Sequence, residues 1–225
     1  MNSQLPIVIT IDGPSGAGKG TLSQMLAAHT GYHLLDSGAL YRLTALAALN
    51  AQADLNDEQQ VAAIALTLDV VFQVDSGVTR TLLAGCDVSA AIRQEKVSMS
   101  ASKVAAYPSV RAALLERQRA FAALPGLIAD GRDMGTTVFP GAQVKLFLTA
   151  SAEARAERRY KQLLAKGEPV DMASLVNDIK ERDERDSNRA VSPLRPAGDA
   201  VVIDSTSMTI EQVFNEMLKA IESRL

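Results

Sequence analysis

Cys86 is the only cysteine in the 225 residues, so no internal disulfide can form, and the chain suits a reducing compartment. As a lone thiol, Cys86 is expected as a small buried or half-buried apolar side chain. No apolar run approaches the roughly 20 residues that a membrane-spanning helix needs. Met1–Pro6 has neither a basic segment nor a long apolar one, so no secretory signal is expected and a cytoplasmic location is. A formal net charge of −3 supplies no basic excess, which argues against bulk nucleic-acid binding and leaves room only for a local basic pocket. The two histidines, His29 and His33, have no metal-ligand spacing and are expected to be structural. Repeats and low-complexity tracts are missing too.

What is present alternates between strand-like and helix-like segments. Ile7-Val8-Ile9-Thr10-Ile11 is a short β-branched run ending at Asp12-Gly13-Pro14, and Leu22, Met25 and Leu26 then follow helical spacing. His33-Leu34-Leu35 is a second strand, with a helix after Asp36-Ser37-Gly38 running through Leu49. Val70–Val74 and Arg80–Leu83, separated by a turn at Asp75-Ser76-Gly77, predict a hairpin, to which Gly85–Val88 adds a short strand. Ile92 to Leu124 is predicted helical with a break at Tyr107-Pro108.

Alternation then resumes. Leu127-Ile128-Ala129 and Val144–Leu148 are strands. A charged helix runs from Ser151 and breaks near Gly167-Glu168-Pro169, and a second follows from Asp171 to about Asn188. Val201-Val202-Ile203 is the last strand, and Thr209 opens the last helix with Gln212 as a capping-box partner. This order predicts an α/β fold with a parallel sheet covered on both faces.

Gly13-Pro14-Ser15-Gly16-Ala17-Gly18-Lys19 matches the first seven positions of the phosphate-binding pattern G-x-x-x-x-G-K-[ST]. Glycines let backbone N–H groups approach phosphate oxygens without a β-carbon in the way, and the following helix presents its positive end to the same oxygens. Lys19 adds a mobile charge for the β and γ phosphates. The pattern departs at the next position: Gly20 stands where Ser or Thr is usual, and the hydroxyl comes at Thr21. A direct hydroxyl–Mg²⁺ bond is therefore not assigned, and no metal ligand is named.

Three further segments carry both acid and arginine: Asp36–Arg42, Asp130–Gly135 and the helical Arg182–Arg189. The first two sit at predicted strand ends, where ligands of open α/β sheets bind. Arg182, Asp186 and Arg189 are spaced i, i+4, i+7 and are expected on one helix face. That face reads either as a solvated Arg–Asp lattice or as anion-binding, and Arg42 and Arg132 read either as surface charges or as phosphate forks.

Together these segments resemble the bacterial-type cytidylate kinases of the nucleoside monophosphate kinase family. The resemblance lies in Ile11–Thr21, Leu35–Arg42, Ile128–Gly135 and Glu181–Asp186, and it runs essentially end to end. It implies a P-loop fold with a five-stranded parallel sheet, a small β-containing monophosphate-binding insert and a short lid. The chain is then a single P-loop kinase domain: core at about 1–67, 107–154 and 190–225, insert at about 68–106, lid at about 155–189. Gly13, Pro14, Ser15, Gly16, Ala17, Gly18, Lys19, Gly20 and Thr21 would bind ATP, with Arg155, Arg158 and Arg159 as lid candidates, and Arg158 the one assigned. Arg42, Arg132 and Arg189 resemble contacts to the acceptor phosphate and, with Lys19, the catalytic set. Ser37, Ser102, Arg111 and Asp133 resemble readers of cytosine, and Arg182 and Asp186 resemble ribose contacts.

The implied activity is phosphorylation of CMP and dCMP by ATP, with Mg²⁺ bound alongside ATP, by a monomer without nucleic-acid or membrane partners. Two rivals stand beside it. One is a P-loop kinase for another small acceptor, such as a different monophosphate or shikimate. The other is a GTPase-like switch, against which no Asn-Lys-x-Asp guanine motif occurs.

Overall fold

The β-branched run at Ile7–Asp12 forms a strand in the computed structural model, which describes residues 5–75, 78–165, 167 and 169–225. In chain order the elements are β1 (Ile7–Asp12), α1 (Lys19–Thr30), β2 (His33–Asp36), α2 (Ser37–Asn50), α3 (Glu58–Leu66), β3 (Val70–Asp75), β4 (Val78–Leu83) and β5 (Cys86–Asp87). Then come α4 (Glu95–Val104), α5 (Pro108–Arg119), β6 (Gly126–Gly131), β7 (Val144–Thr149), α6 (Ala152–Ala165), α7 (Met172–Ser187), β8 (Val201–Asp204) and α8 (Ile210–Glu222). Short helical turns occupy Ala91–Arg93 and Met134–Val138. The chain divides into two compact units, residues up to Asp36 together with Arg119–Leu225, and Ser37–Gln118.

The first unit holds a five-stranded sheet in the order β2-β6-β1-β7-β8, every pairing parallel, as the resemblance implied. Ile9, Ile11, Ile128, Leu146 and Leu148 pack against Leu22 and Leu26 of α1 and Val213, Met217 and Ile221 of α8. Burying each such side chain contributes about 1.5–3 kcal/mol, which fixes the sheet and with it the carboxyl ends of its strands. Those ends carry Asp12, Asp36, Asp130 and Asp204. The capping box at Thr209 and Gln212 is present as expected: each side chain accepts from the other's backbone N–H, at 3.2 and 2.9 Å.

In the second unit, β3 and β4 pair antiparallel and β5 joins β4, as the hairpin reading expects. The turn residues Ser76 and Gly77, and Glu168 of the predicted break after α6, lie outside the described residues. Three expectations need correction. Cys86 is exposed, because its strand is a two-residue edge that covers nothing. The stretch from Ile92 splits where Gln94 takes an extended conformation, and its last helix stops at Arg119 rather than Leu124. Pro108 opens α5 at the first helical position, where its missing N–H is harmless. Helix α3 has no counterpart in the sequence reading.

The third correction concerns Arg189. Helix α7 ends at Ser187 with Asn188 as its cap, so Arg189 lies beyond the helix and not on its face. The chain nevertheless curls back: Arg189 Nε donates to the Asp186 carbonyl at 3.2 Å, and Leu194 N donates to that carbonyl at 2.9 Å.

Candidate active site

The phosphate loop runs from the end of β1 into α1, and three of its glycines have positive φ: Gly13 at 148°, Gly16 at 81° and Gly18 at 95°. The demand is sharpest at Gly13, where a β-carbon would come 2.0 Å from the Leu148 carbonyl oxygen of β7. Gly18 caps α1 in a left-handed conformation without a side chain, so the first N–H groups of α1 face the loop. Thr21 is exposed on the first turn.

Lys19 folds back under the loop. Its Nζ donates to the Pro14 carbonyl at 3.0 Å and stands 4.0 Å from Asp130 Oδ1. Burial lowers its pKa, Asp130 pulls it back up, and Arg132 pushes it down. The ammonium is thus desolvated and close to the carboxylate at the end of β6. Asp36 is the register partner of Asp130 across the β2–β6 pairing, so two carboxylates stand side by side at the sheet's carboxyl edge.

Asp12, at the end of β1, is almost fully buried. Its two oxygens accept from Met134 N and Gly135 N, both at 2.8 Å. Burial raises its pKa to about 7 against the effect of those two bonds, and nearby Asp133 adds to the rise. Asp12 therefore pins the Met134–Val138 turn directly after Arg132 and Asp133. Gly135 fits there because a β-carbon would meet Thr10 Oγ1 at 2.9 Å.

Asp186 gathers the arginines. Arg132 Nε forms a short ion pair with Asp186 Oδ2, and Arg189 Nη2 lies 3.8 Å from Oδ1. Burial acts to raise the Asp186 pKa, but Arg132, Arg189 and Arg182 outweigh it and hold the carboxyl below the usual carboxylate range. Arg132, Arg182, Asp186 and Arg189 thus come together, and Arg132 also acts on Lys19.

Arg155 and Arg158 lie on α6. Arg155 is buried, donating from Nε to the Ala150 carbonyl at 3.0 Å and from Nη1 to both the Ser15 carbonyl and Asp183 Oδ1 at 3.0 Å. Arg158 Nη1 donates to Ser205 Oγ at 3.2 Å, and Nη2 makes a short bond to the Ser205 carbonyl. Ser205 Oγ in turn lies 3.3 Å from the Ala17 carbonyl of the loop. Arg159 is half-buried on the same helix.

In the unit Ser37–Gln118, Ser37, Ser102 and Arg111 are buried and Arg42 is half-buried. Ser37 donates to Gln118 Oε1 at 2.6 Å. Arg111 Nη1 donates to the Ala105 carbonyl at 3.0 Å, and its guanidinium lies 5.4 Å from the centre of the Tyr41 ring. The histidines are elsewhere: His29 meets Phe214 edge-on, and His33 Nε2 lies 2.9 Å from the Leu124 carbonyl.

Four residues entered no role in the sequence reading: Asp12, Gln118, Asp183 and Ser205. Asp12 carried a signal, an acid at a strand end directly before the loop. The other three act through contacts distant in sequence, which no local pattern announces.

Among the described residues no group of three His, Cys, Asp or Glu side chains could hold a metal ion. None of their helices is long and apolar enough to cross a membrane.

The cytidylate kinase family model matches residues 9–223. A cytidylate kinase of Aeromonas salmonicida is 60% identical over 99% of this chain and 96% of its own length. Those of Vibrio parahaemolyticus and Vibrio cholerae are 58% and 56% identical, each over the whole of this chain and 99% and 100% of their own lengths.

Proposed function

The chain belongs to the cytidylate kinase family of nucleoside monophosphate kinases, and we propose that it transfers the γ-phosphoryl group of ATP directly to CMP and dCMP, giving ADP with CDP and dCDP. The observation that carries this reading is the position of Arg132, which acts on Lys19 under the phosphate loop and pairs with Asp186 among the other arginines. One cation thereby acts electrostatically on the loop lysine and is ion-paired to the helix that bears Arg182 and Asp186.

The acceptor is already an anion, so no strong general base is needed. Catalysis is positioning and neutralisation of charge on the moving phosphoryl group. In this reading Gly13–Thr21 and Arg158 hold ATP, and Lys19 follows the β and γ oxygens. Arg42, Arg132 and Arg189 grip the acceptor phosphate. Arg182 and Asp186 hold the ribose, and Ser37, Ser102, Arg111 and Asp133 read the base. Residues 68–106 act as the monophosphate-binding insert and 155–189 as a lid that excludes water.

Mg²⁺ is held by few carboxylates together with substrate phosphates, rather than by a protein cage. The adjacent Asp36 and Asp130 fit that requirement, whereas Asp12 is committed to two backbone N–H groups. Bound with ATP, the ion would neutralise charge on the β and γ phosphates. We read the enzyme as a cytoplasmic monomer without nucleic-acid or membrane partners; its net charge of −3 supplies no basic excess for a nucleic acid.

Chromatographic product analysis tests the reaction. Incubation with ATP, Mg²⁺ and CMP is expected to yield CDP and ADP in equal amounts. Release of inorganic phosphate without CDP would overturn the reading.

A further inference from the structure

Ser37 opens α2, Gln118 lies near the end of α5, and the two are the first and last residues of their unit. Both are almost wholly buried, and Ser37 Oγ donates to Gln118 Oε1 at 2.6 Å. The other half of the amide is anchored as well: Gln118 Nε2 donates to the Leu114 carbonyl at 3.3 Å. That second bond sets the polarity of the first. Turning the amide over would bring its oxygen against the Leu114 carbonyl, two acceptors face to face with no proton between them.

A serine hydroxyl has one proton and two lone pairs. With the proton committed to Gln118, Ser37 can offer any further group only an acceptor. We propose that Gln118 is a positioning residue that fixes Ser37 as a hydrogen-bond acceptor toward the acceptor base, and so makes it discriminate cytosine from uracil. The inference rests on the reading that Ser37 faces the base. The exocyclic amino group is the only donor on cytosine's pairing edge, so it is the group that a Ser37 acceptor would meet. Uracil presents a carbonyl oxygen, which would be left against the Ser37 lone pairs. An unpaired buried polar group of this kind is what gives hydrogen-bonding sites their large selectivity.

The experiment compares kcat/KM for CMP and UMP in the wild type, Ser37→Ala, Gln118→Met and Gln118→Glu. Ser37→Ala should lower CMP turnover by about tenfold or more while UMP turnover holds or rises, because the opposing lone pairs are gone. Gln118→Met frees the hydroxyl proton to turn toward a carbonyl. UMP should improve about tenfold, through the acceptor KM and not the KM for ATP. Gln118→Glu, kept neutral by burial, turns its protonated oxygen to the Leu114 carbonyl and its other oxygen to Ser37, and should retain the wild-type CMP/UMP ratio.

The outcomes separate. If Ser37→Ala leaves both substrates unchanged, Ser37 does not face the base, and the proposal falls with that reading. A parallel drop for CMP and UMP would show that Ser37 also donates, which overturns the fixed polarity while leaving Ser37 at the base. A Gln118→Met enzyme with the wild-type ratio would remove Gln118 alone. Should Gln118→Met fail to fold, the direction of the UMP change in Ser37→Ala still decides the polarity.

Discussion

Arg155 and Asp183 form a two-pronged ion pair between α6 and α7, each terminal guanidinium nitrogen meeting one carboxylate oxygen. The same Nη1 also donates to the Ser15 carbonyl in the phosphate loop. A single buried cation thus ties the helix bearing Arg182 and Asp186 to the loop bearing Lys19.

Removing the carboxylate should therefore cost both stability and ATP binding. Asp183→Ala leaves Arg155 buried without its counter-charge and is expected to destabilise the fold by about 2–4 kcal/mol. Urea unfolding should show this as a lower midpoint, and the KM for ATP should rise. Arg155→Lys should not restore either, since one ammonium cannot span the carboxylate and the Ser15 carbonyl as a planar fork does. An unchanged midpoint in both variants would contradict the bracing role.

Lys19 sits at the other end of that brace. Lys19→Ala is expected to lose about 10²–10³ in kcat, the range seen when a preorganised charge is removed from a developing anion. Its circular dichroism spectrum should be unaltered, because the loop conformation is set by glycines and by Leu148. Near-normal turnover in this variant would contradict a phosphoryl-transfer role for Lys19.

Asp12 gives a pH signature. The folded chain keeps its proton up to about pH 7, whereas the ordinary value is 3.8, because burial disfavours the carboxylate. Protonation therefore favours the folded state. The stabilisation from this group is complete below pH ~4 and is lost as pH rises toward 7. Asp12→Asn cannot titrate, so the stability difference between wild type and variant should fall by at most about 4 kcal/mol from pH 4 to pH 7, then level off. Urea midpoints across that range measure it, and a difference constant with pH would exclude the raised pKa.

Much of the fold was legible because the signals are local. A β-branched run before glycines gives β1 and the loop, and Thr209 with Gln212 gives the start of α8. Where reading failed, a non-local or boundary effect decided. Arg189 keeps its place beside Asp186 through a chain that curls back after the helix ends, which a periodicity of 3.6 does not describe. Cys86 is exposed because β5 is too short to cover it, although cysteine as a residue type favours burial. The arginine set could be named from resemblance, but its organisation around Asp186 could not. Nor could the hold of Gln118 on Ser37, which joins residues 81 positions apart.

The central claim, a kinase that takes cytidylate, meets its most direct test in a coupled ADP-release assay across CMP, dCMP, UMP, AMP and shikimate. The account predicts kcat/KM for CMP and dCMP several orders of magnitude above the rest, and little ADP without an acceptor. UMP or AMP turned over as efficiently as CMP, or triphosphate hydrolysis that needs no acceptor, would contradict it.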